Sequence, residues 1–128
     1  ALVKEGVVGI HDAVRPLVSK ETIERCFKEA QKAGNAVPYI PINDSMRKVD
    51  GQQNYQVDRD QYKIIQTPQV FHASAIKDAF KQGFQDSFTD DASVLEANNK
   101  RINLVEGNFE NIKITRPSDL RMAEVWVM

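Results

Sequence analysis

Charged residues stand directly after an apolar run near the start of this sequence, where the end of a strand would present them to a ligand. The apolar residues 6–10 are followed by His11, Asp12 and Arg15. An aspartate there can hold a hydroxyl group or a metal-bound phosphate, and an arginine three residues later can clamp an anion. The alternative is a loop carboxylate paired with a nearby arginine, and this segment alone does not decide between the two interpretations.

Two further cations are candidates for binding a phosphate. Lys113 alternates with Ile112 and Ile114, and a lysine that projects from an interior strand is unusual unless it meets an anion. The alternative is a lysine that protects an exposed edge strand. Arg59 closes a hairpin pattern, where it either binds a phosphate bidentately or is a solvated arginine beside the preceding aspartate.

The segment Thr89-Asp90-Asp91 opens a predicted helix, with Thr89 as the expected N-cap. Two adjacent acids can indicate a metal site, but in a first helical turn they more often match the positive end of the helix, and we interpret Asp91 in this way. The Thr89 hydroxyl and a free backbone amide beside it suit an anionic substrate.

Strand and helix patterns alternate along the chain and predict an α/β domain with a mostly parallel sheet. Parallel strands place ligands at their carboxyl ends, which is where the charged residues fall. Asp50-Gly51 is a strong turn signal, and it predicts a polar, protruding hairpin between residues 45 and 57. The other expected strands cover residues 6–10, 36–41, 102–105 and 112–114, and residues 64–71 are expected to be an extended stretch with a turn. The expected helices cover 19–33, 73–84, a third starting near 89, and 117–127.

Composition sets the limits for these interpretations. The chain has 128 residues and a formal net charge of -1, so nothing in its overall charge favours nucleic acid or an acidic membrane surface as a partner. No apolar run is long enough for a membrane span. The single cysteine, Cys26, is expected to pack in the core, and it favours a cytoplasmic protein. His11 and His72 do not have zinc-site spacing with it, so no metal ligand is predicted.

Six segments occur in the order found in one family, and they span nearly the whole chain. They are His11-Asp12-Ala13-Val14-Arg15-Pro16, Asp44-Ser45, Val57-Asp58-Arg59, Gln66-Thr67-Pro68-Gln69-Val70-Phe71, Thr89-Asp90-Asp91-Ala92-Ser93-Val94-Leu95-Glu96 and Asn111-Ile112-Lys113-Ile114-Thr115-Arg116-Pro117. In these segments the sequence resembles the C-terminal part of the 2-C-methyl-D-erythritol 4-phosphate cytidylyltransferases of non-mevalonate isoprenoid biosynthesis. Each segment alone is weak evidence, whereas six in order are specific.

The resemblance implies a Rossmann-like nucleotidyltransferase sheet with a protruding β-hairpin arm. It implies an enzyme that joins CTP to a sugar-alcohol phosphate, releases diphosphate, uses Mg²⁺ and works as a homodimer. Residues 1–128 would form a single domain, and residues 44–59 would be the arm that reaches the partner subunit.

The resemblance also implies roles for individual residues. Arg59 would hold the substrate phosphate in the neighbouring subunit's site, and Lys113 would position the same substrate for attack on the α-phosphorus. Ser45 stands where the family commonly has threonine, which keeps the hydroxyl group. The residues expected to line the substrate pocket are Asp12, Arg15, Ser45 and Thr89.

The family's glycine-rich loop for the CTP triphosphate has no counterpart in these residues. Because the chain opens on Ala1 and enters a strand at once, we expect it to be part of a longer polypeptide and to be inactive alone. Two alternatives stay open. One is the related ribitol 5-phosphate cytidylyltransferase, and the other is a non-catalytic dimerisation or binding module that kept this part of the fold.

Overall fold

The computed structural model describes residues 3–83 and 85–127. Strands and helices alternate through most of the chain, as the apolar patterns predict. The longest of the described helices has 14 residues, and none of them has the length and apolar character that crossing a membrane requires. In chain order the elements are β1 (Val7–Ile10), α1 (Lys20–Ala33), β2 (Asn35–Pro41), β3 (Arg47–Asp50), β4 (Gln53–Gln56), a 3₁₀ turn (Arg59–Gln61), β5 (Lys63–Ile65), β6 (Gln69–His72), α2 (Ala73–Phe80), α3 (Asp91–Ala97), β7 (Leu104–Glu106) and α4 (Pro117–Val127).

The main sheet is mixed, and the prediction of a mostly parallel sheet is wrong in this respect. Its strand order is β1-β6-β2-β5, and β7 also pairs with β2. The β1–β6, β2–β6 and β2–β5 pairs are antiparallel, whereas β2–β7 is parallel. The chain leaves β2 through the hairpin and returns as β5 and β6 without a helical crossover, and such a return runs antiparallel. Strands β1, β2 and β7 nevertheless run in one direction, so their carboxyl ends share one edge.

Helix α1 covers one face of the sheet. Ser19 caps it, because its side chain accepts a hydrogen bond from the Thr22 amide at 3.0 Å. Gly34 ends it with φ of 98°, a left-handed conformation that glycine adopts without steric cost. Cys26 packs in the core cluster beneath this helix, and burial raises the pKa of its thiol to about 11. The prediction that Cys26 packs rather than reacts is confirmed.

Helices α2 and α3 cover the opposite face. Neighbouring residues of a strand point to opposite sides of a sheet. Accordingly, Val70 belongs to the cluster under α1, whereas Phe71 packs with Ile76 and Leu95 in a second cluster under α2 and α3. The structure thus has the α/β architecture expected from the sequence, with helices on both faces of one sheet.

Two predicted elements differ in the structure. Helix α2 ends at Phe80 rather than 84, and the predicted apolar contact of Phe84 lies outside the described residues. Residues 112–114 form no strand, although Ile112 and Ile114 alternate with an exposed Lys113. Instead, the Ile114 amide donates to the Val14 carbonyl at 2.9 Å, which fixes this segment beside the loop that follows β1.

The hairpin of β3 and β4 is a separate two-stranded sheet. All residues of both strands are exposed, so the hairpin contributes no residue to either core cluster. Gly51 in its turn has φ of 59°, a left-handed conformation that explains the Asp-Gly signal. We call residues 44–59 the arm.

Candidate functional site

A cleft of about 510 Å³ opens at the edge of the sheet where β1 ends. It lies between the loop after β1, the junction of β5 and β6, the start of α3, and the segment that carries Lys113. Four of the six predicted site residues meet in it, although they come from three distant parts of the sequence. The residues that line the cleft are Asp12, Arg15, Ile65, Gln66, Thr67, Gln69, Phe80, Phe88, Thr89, Asp90, Asp91, Val94 and Lys113.

Asp12 stands between the two cations of the cleft. Arg15 Nε donates to Asp12 Oδ2 at 3.0 Å, and Arg15 Nη1 donates to the Asn111 carbonyl at 2.8 Å. Lys113 Nζ lies 4.0 Å from the same carboxylate oxygen, at the limit for an ion pair. The Lys113 side chain is 54% exposed and that of Arg15 only 12%. Arg15 is therefore held in place by its neighbours, whereas the Lys113 ammonium can turn toward a ligand.

The loop from His11 to Arg15 is fastened to Thr67. The Thr67 hydroxyl accepts the Asp12 amide at 3.0 Å and lies 2.9 Å from His11 Nδ1. His11 Nε2 lies 2.9 Å from the Arg15 carbonyl. Since a carbonyl only accepts, we place the His11 proton on Nε2, which leaves Nδ1 to accept from the Thr67 hydroxyl. These bonds hold the Asp12 backbone at the cleft.

The start of α3 forms the opposite wall, and here the prediction that Thr89 caps the helix is wrong. The N-cap is Asp90, whose Oδ1 accepts the Ser93 amide at 2.8 Å while Ser93 Oγ accepts the Asp90 amide at 3.3 Å. Such a capping box needs the cap residue three positions before its partner, and Asp90 satisfies this spacing. Thr89 lies one residue earlier, exposed at the cleft, and its amide is not free because it donates to Ser93 Oγ at 3.1 Å.

The cleft contains more carboxylates than cations. Burial is the main cause that raises the pKa of Asp91, and the nearby Asp90 and Asp12 carboxylates raise it further. Asp91 lies in the first turn of α3, as predicted. Across residues 3–83 and 85–127, no three His, Cys, Asp or Glu side chains are grouped so that they could hold a metal ion. A bound phosphate would need positive charge beyond that of Arg15 and Lys113.

Ser45 and Arg59 lie outside this cleft. Both line a hollow of about 560 Å³ at the base of the arm, together with Val57 and Asp58. Both are exposed, and the Arg59 guanidinium donates to the Asn43 carbonyl, directly before the arm. The structure therefore brings together four of the predicted site residues and places the other two on the arm.

Sequence reasoning did not select Thr67, Gln69 or Asp90 as site residues. Thr67 lies between β5 and β6, and Gln69 is the first residue of β6. Thr67 is 9% exposed and Gln69 2%, so each polar side chain must find partners. Some indication of these residues was present in the sequence, since neither of them fits an apolar-polar alternation in that segment. The sequence does not show which residue each of them contacts across the cleft.

Comparison with known proteins agrees with the order of the six segments. A sequence model of the family described as 2-C-methyl-D-erythritol 4-phosphate cytidylyltransferase matches residues 1–128. A protein of that name from Phocaeicola vulgatus is 46% identical over 123 residues, which cover 96% of this chain and 56% of the relative. One from Bacteroides fragilis is 52% identical over 118 residues, which cover 92% of this chain and 54% of the relative.

Solved structures of proteins with this name also match the chain. The crystal structure of the enzyme of that name from Thermus thermophilus matches with a TM-score of 0.85 and 34% identity, covering 94% of this chain and 61% of that chain. The Francisella tularensis structure matches with a TM-score of 0.83 and 27% identity, covering 95% of this chain and 59% of that chain. The chain spans little more than half the length of the curated relatives.

Proposed function

The chain belongs to the 2-C-methyl-D-erythritol 4-phosphate cytidylyltransferase family, and we propose that the full-length protein transfers the cytidylyl group of CTP to 2-C-methyl-D-erythritol 4-phosphate. An oxygen of the substrate phosphate attacks the α-phosphorus of CTP. The bond from that phosphorus to the oxygen bridging the β-phosphorus breaks, and its electron pair leaves with diphosphate. The observation that carries the proposal is the meeting of Asp12, Arg15, Thr89 and Lys113 in one cleft of a chain matched throughout by this family.

The residues of the cleft suit a reaction that depends on positioning and charge neutralisation rather than covalent catalysis. The exposed Lys113 ammonium holds the substrate phosphate in line with the α-phosphorus. Asp12 accepts a hydrogen bond from a substrate hydroxyl, and Arg15 orients the Asp12 carboxylate through their 3.0 Å bond. Thr89, exposed at the opposite wall, adds a hydroxyl group to the polar lining.

Arg59 and Ser45 act from the arm of a partner subunit in a homodimer. Three arguments support this arrangement. The cleft has three carboxylates for two cations, so a doubly charged phosphate needs a further cation. Arg59 is exposed on the arm and does not line the cleft of its own chain. In a two-fold dimer, an arm that reaches the other subunit's cleft does so reciprocally, so that both clefts are completed in the same way.

We propose Mg²⁺ as the cofactor from membership of the family. The described residues do not fit a self-contained site for this ion, since they hold no suitable group of three ligand side chains and the Asp12 carboxylate is already engaged by Arg15. No residue of this chain is therefore assigned to it as a ligand. We also propose a cytoplasmic location, in keeping with the free thiol of Cys26.

The names of the relatives favour methylerythritol phosphate as the substrate. No specific observation favours ribitol 5-phosphate, and clustered cations would serve no purpose in a non-catalytic module.

The test is a diphosphate-release assay of the purified full-length protein with CTP, Mg²⁺ and either polyol phosphate. We expect turnover with methylerythritol phosphate at a kcat/KM at least tenfold above that with ribitol phosphate, since a few pocket contacts separate such substrates. Equal turnover would remove the substrate assignment. Activity with ribitol phosphate alone would favour the related enzyme, and no release with either would overturn the proposal.

A further inference from the structure

Gln69 joins the central sheet to the α3 wall of the cleft through both ends of its carboxamide. Its Nε2 donates to Asp90 Oδ2 at 3.0 Å and lies 3.4 Å from the Gln66 carbonyl. Its Oε1 accepts the Ala92 amide at 2.8 Å. Gln69 is only 2% exposed, so these bonds replace the water that the carboxamide loses on folding.

The two bonds that cross to α3 need a donor and an acceptor at the same time. A neutral carboxamide provides both, whereas a carboxylate lacks the donor and an apolar side chain lacks both. A buried polar side chain is favourable only when it is fully bonded. At this site an apolar residue would pack equally well against the sheet but would leave Asp90 and Ala92 without these partners.

The two partners differ in how firmly the fold holds them. Gln69 begins β6, which pairs with β1 on one side and β2 on the other. Helix α3 has only seven residues, too few for a helix to be stable by itself. Its first turn therefore depends on tertiary contacts, and the Gln69 bonds lie at that turn.

The contact also completes the bonding of Asp90. Asp90 Oδ1 accepts the Ser93 amide, and Oδ2 accepts from Gln69. Both carboxylate oxygens thus accept a hydrogen bond from this chain. Without Gln69, the second oxygen would lose its donor beside Asp91, and the negative charge of Asp90 in the cleft would be less well stabilised.

We propose that Gln69 is a positioning residue for the polyol-phosphate pocket. It holds the Asp90–Ala92 turn against β6 and so sets where Thr89 and Asp91 stand in the cleft wall. This inference rests on the proposed function for its kinetic consequence, whereas the clamp itself can be measured without any substrate.

The main experiment compares Gln69→Met with Asn35→Leu in the full-length protein. Asn35 is a matched control, because it is also a buried carboxamide, 5% exposed, bonded at both ends to backbone. Its Nδ2 donates to the Arg101 carbonyl at 2.8 Å and its Oδ1 accepts the Asn103 amide at 2.8 Å. It does not line the cleft.

Gln69→Met should raise KM for the polyol phosphate about tenfold, the size expected for losing a hydrogen bond to a charged group, with KM for CTP unchanged. Hydrogen exchange followed by mass spectrometry should show faster exchange in the peptide covering residues 89–93. Asn35→Leu should leave both quantities at the wild-type value while lowering the unfolding midpoint.

A second variant, Gln69→Glu, tests the donor separately. Its ionised carboxylate would face Asp90 without a proton to donate, and on protonation it would restore the missing hydrogen bond. Its kcat/KM relative to wild type should therefore rise as pH falls from 8 toward 5.5. The other charged groups around the same cleft are Asp12, Arg15, Asp91 and Lys113, and they are common to both proteins, so the ratio cancels their titration to first order.

The outcomes distinguish the positioning role of Gln69 from the proposed function of the protein. Unchanged exchange at residues 89–93 in Gln69→Met would overturn the clamp, even if the protein proves to have a different activity. Equal kinetic losses in Gln69→Met and Asn35→Leu would reduce Gln69 to a general stability role and overturn its positioning role. If Gln69→Met does not fold, a pH-independent ratio for Gln69→Glu would overturn it instead. An inactive wild type with faster exchange in Gln69→Met would refute the proposed function and leave the clamp intact.

Discussion

The cleft and the arm carry charged residues of similar type, but the structure holds them in opposite ways. In the cleft, side-chain bonds join residues far apart in the chain, such as Arg15 with Asn111 and Asp12 with Thr67. In the arm, the bonds stay local, as between Arg47 and Asn54. The cleft therefore has its geometry fixed by this chain, whereas the arm has little to fix its position.

This difference shows what each region needs for function. The cleft residues are positioned before any ligand arrives, which is the condition for electrostatic stabilisation without reorganisation. Arg59 and Ser45 are exposed on the arm. Neither of them lines the cleft of its own chain. A partner subunit would supply the missing half of the site, so mutations in the two regions should fail in different ways.

Lys113→Ala should give the largest effect on activity. Its ammonium is the more exposed of the two cleft cations, and removing one charge donor from an active site commonly lowers kcat about a hundredfold. KM for the polyol phosphate should change less, and KM for CTP should stay the same. Lys28→Ala on the exposed side of α1 is the control. Steady-state kinetics at wild-type values would remove Lys113 from the site.

Arg59→Ala should cost less, because in the proposed dimer Arg59 adds a cation for the phosphate but does not form the cleft. We expect KM for the polyol phosphate to rise about thirtyfold, the lower range for truncating one partner of a desolvated charge pair, with CTP binding little changed. Equal damage to CTP binding, measured by isothermal titration, would contradict the role.

Mixing these two variants tests whether the arm acts in trans. A heterodimer of Arg59→Ala and Lys113→Ala subunits has one cleft with an intact Lys113 and an intact Arg59 from its partner. With the polyol phosphate kept well below KM, random exchange of subunits at equal amounts should therefore restore about a quarter of wild-type kcat/KM, well above the value of either variant alone. If Arg59 acts within its own subunit, every cleft contains a defect and no activity returns.

Alanine substitutions at two glycines, Gly107 in the main fold and Gly51 in the arm, compare the stability of the two regions directly. A Cβ on Gly107 would lie 2.3 Å from Gln66 Oε1 and 3.1 Å from the Tyr39 carbonyl. Gly107→Ala should therefore lower the free energy of unfolding by about 2 kcal/mol, as overpacking of a tight site does. Gly51→Ala in the arm meets nothing within 4 Å and should cost about 1 kcal/mol, from its left-handed φ alone. Equal denaturation midpoints for the two variants would contradict this ranking.

Much of the fold was predictable because local chemistry decided it. Ser19 and Gly34 mark the two ends of α1, and Asp50-Gly51 marks the arm turn. The prediction of a strand at residues 112–114 was wrong because Ile112 and Ile114 alternate with an exposed lysine, as in a half-buried strand. In the structure, the segment is instead held by the loop after β1. Alternation reports which side chains are buried, but not which backbone group is the partner.

Part of the candidate site was also predictable from the sequence. The end of the first apolar run pointed to Asp12 and Arg15, since polar residues after such runs gather at one sheet edge, and Lys113 was selected because it alternates with Ile112 and Ile114. Gln69 was harder to select, because its bonds across the cleft go to Asp90 and Ala92, 21 and 23 residues away. Contacts at such separations depend on topology, and the mixed sheet was the part of the topology that the patterns missed.

The smallest expected effect concerns two aspartates whose folded-state pKa values move in opposite directions. In the cleft, burial first and the neighbouring carboxylates second raise the pKa of Asp91 above the ordinary 3.8. In α4, the Thr115 and Arg116 amides donate to Asp119 at 3.1 and 3.0 Å and lower its pKa. Ionising Asp91 therefore opposes folding, whereas ionising Asp119 favours it.

The pH dependence of the two asparagine variants follows from these signs. Asp91→Asn should make the protein more stable at pH 7, by less than about 1 kcal/mol because the carboxyl is partly solvated, and this gain should vanish as pH falls below the ordinary carboxyl pKa. Asp119→Asn should be less stable than wild type at pH 7, and that loss should disappear as pH falls through the lowered pKa of Asp119. Urea denaturation of both variants between pH 3 and pH 7 provides the measurement. If Asp91→Asn were the less stable protein at pH 7, the ionised Asp91 carboxylate would favour folding, which would contradict a pKa raised by burial and by the neighbouring carboxylates.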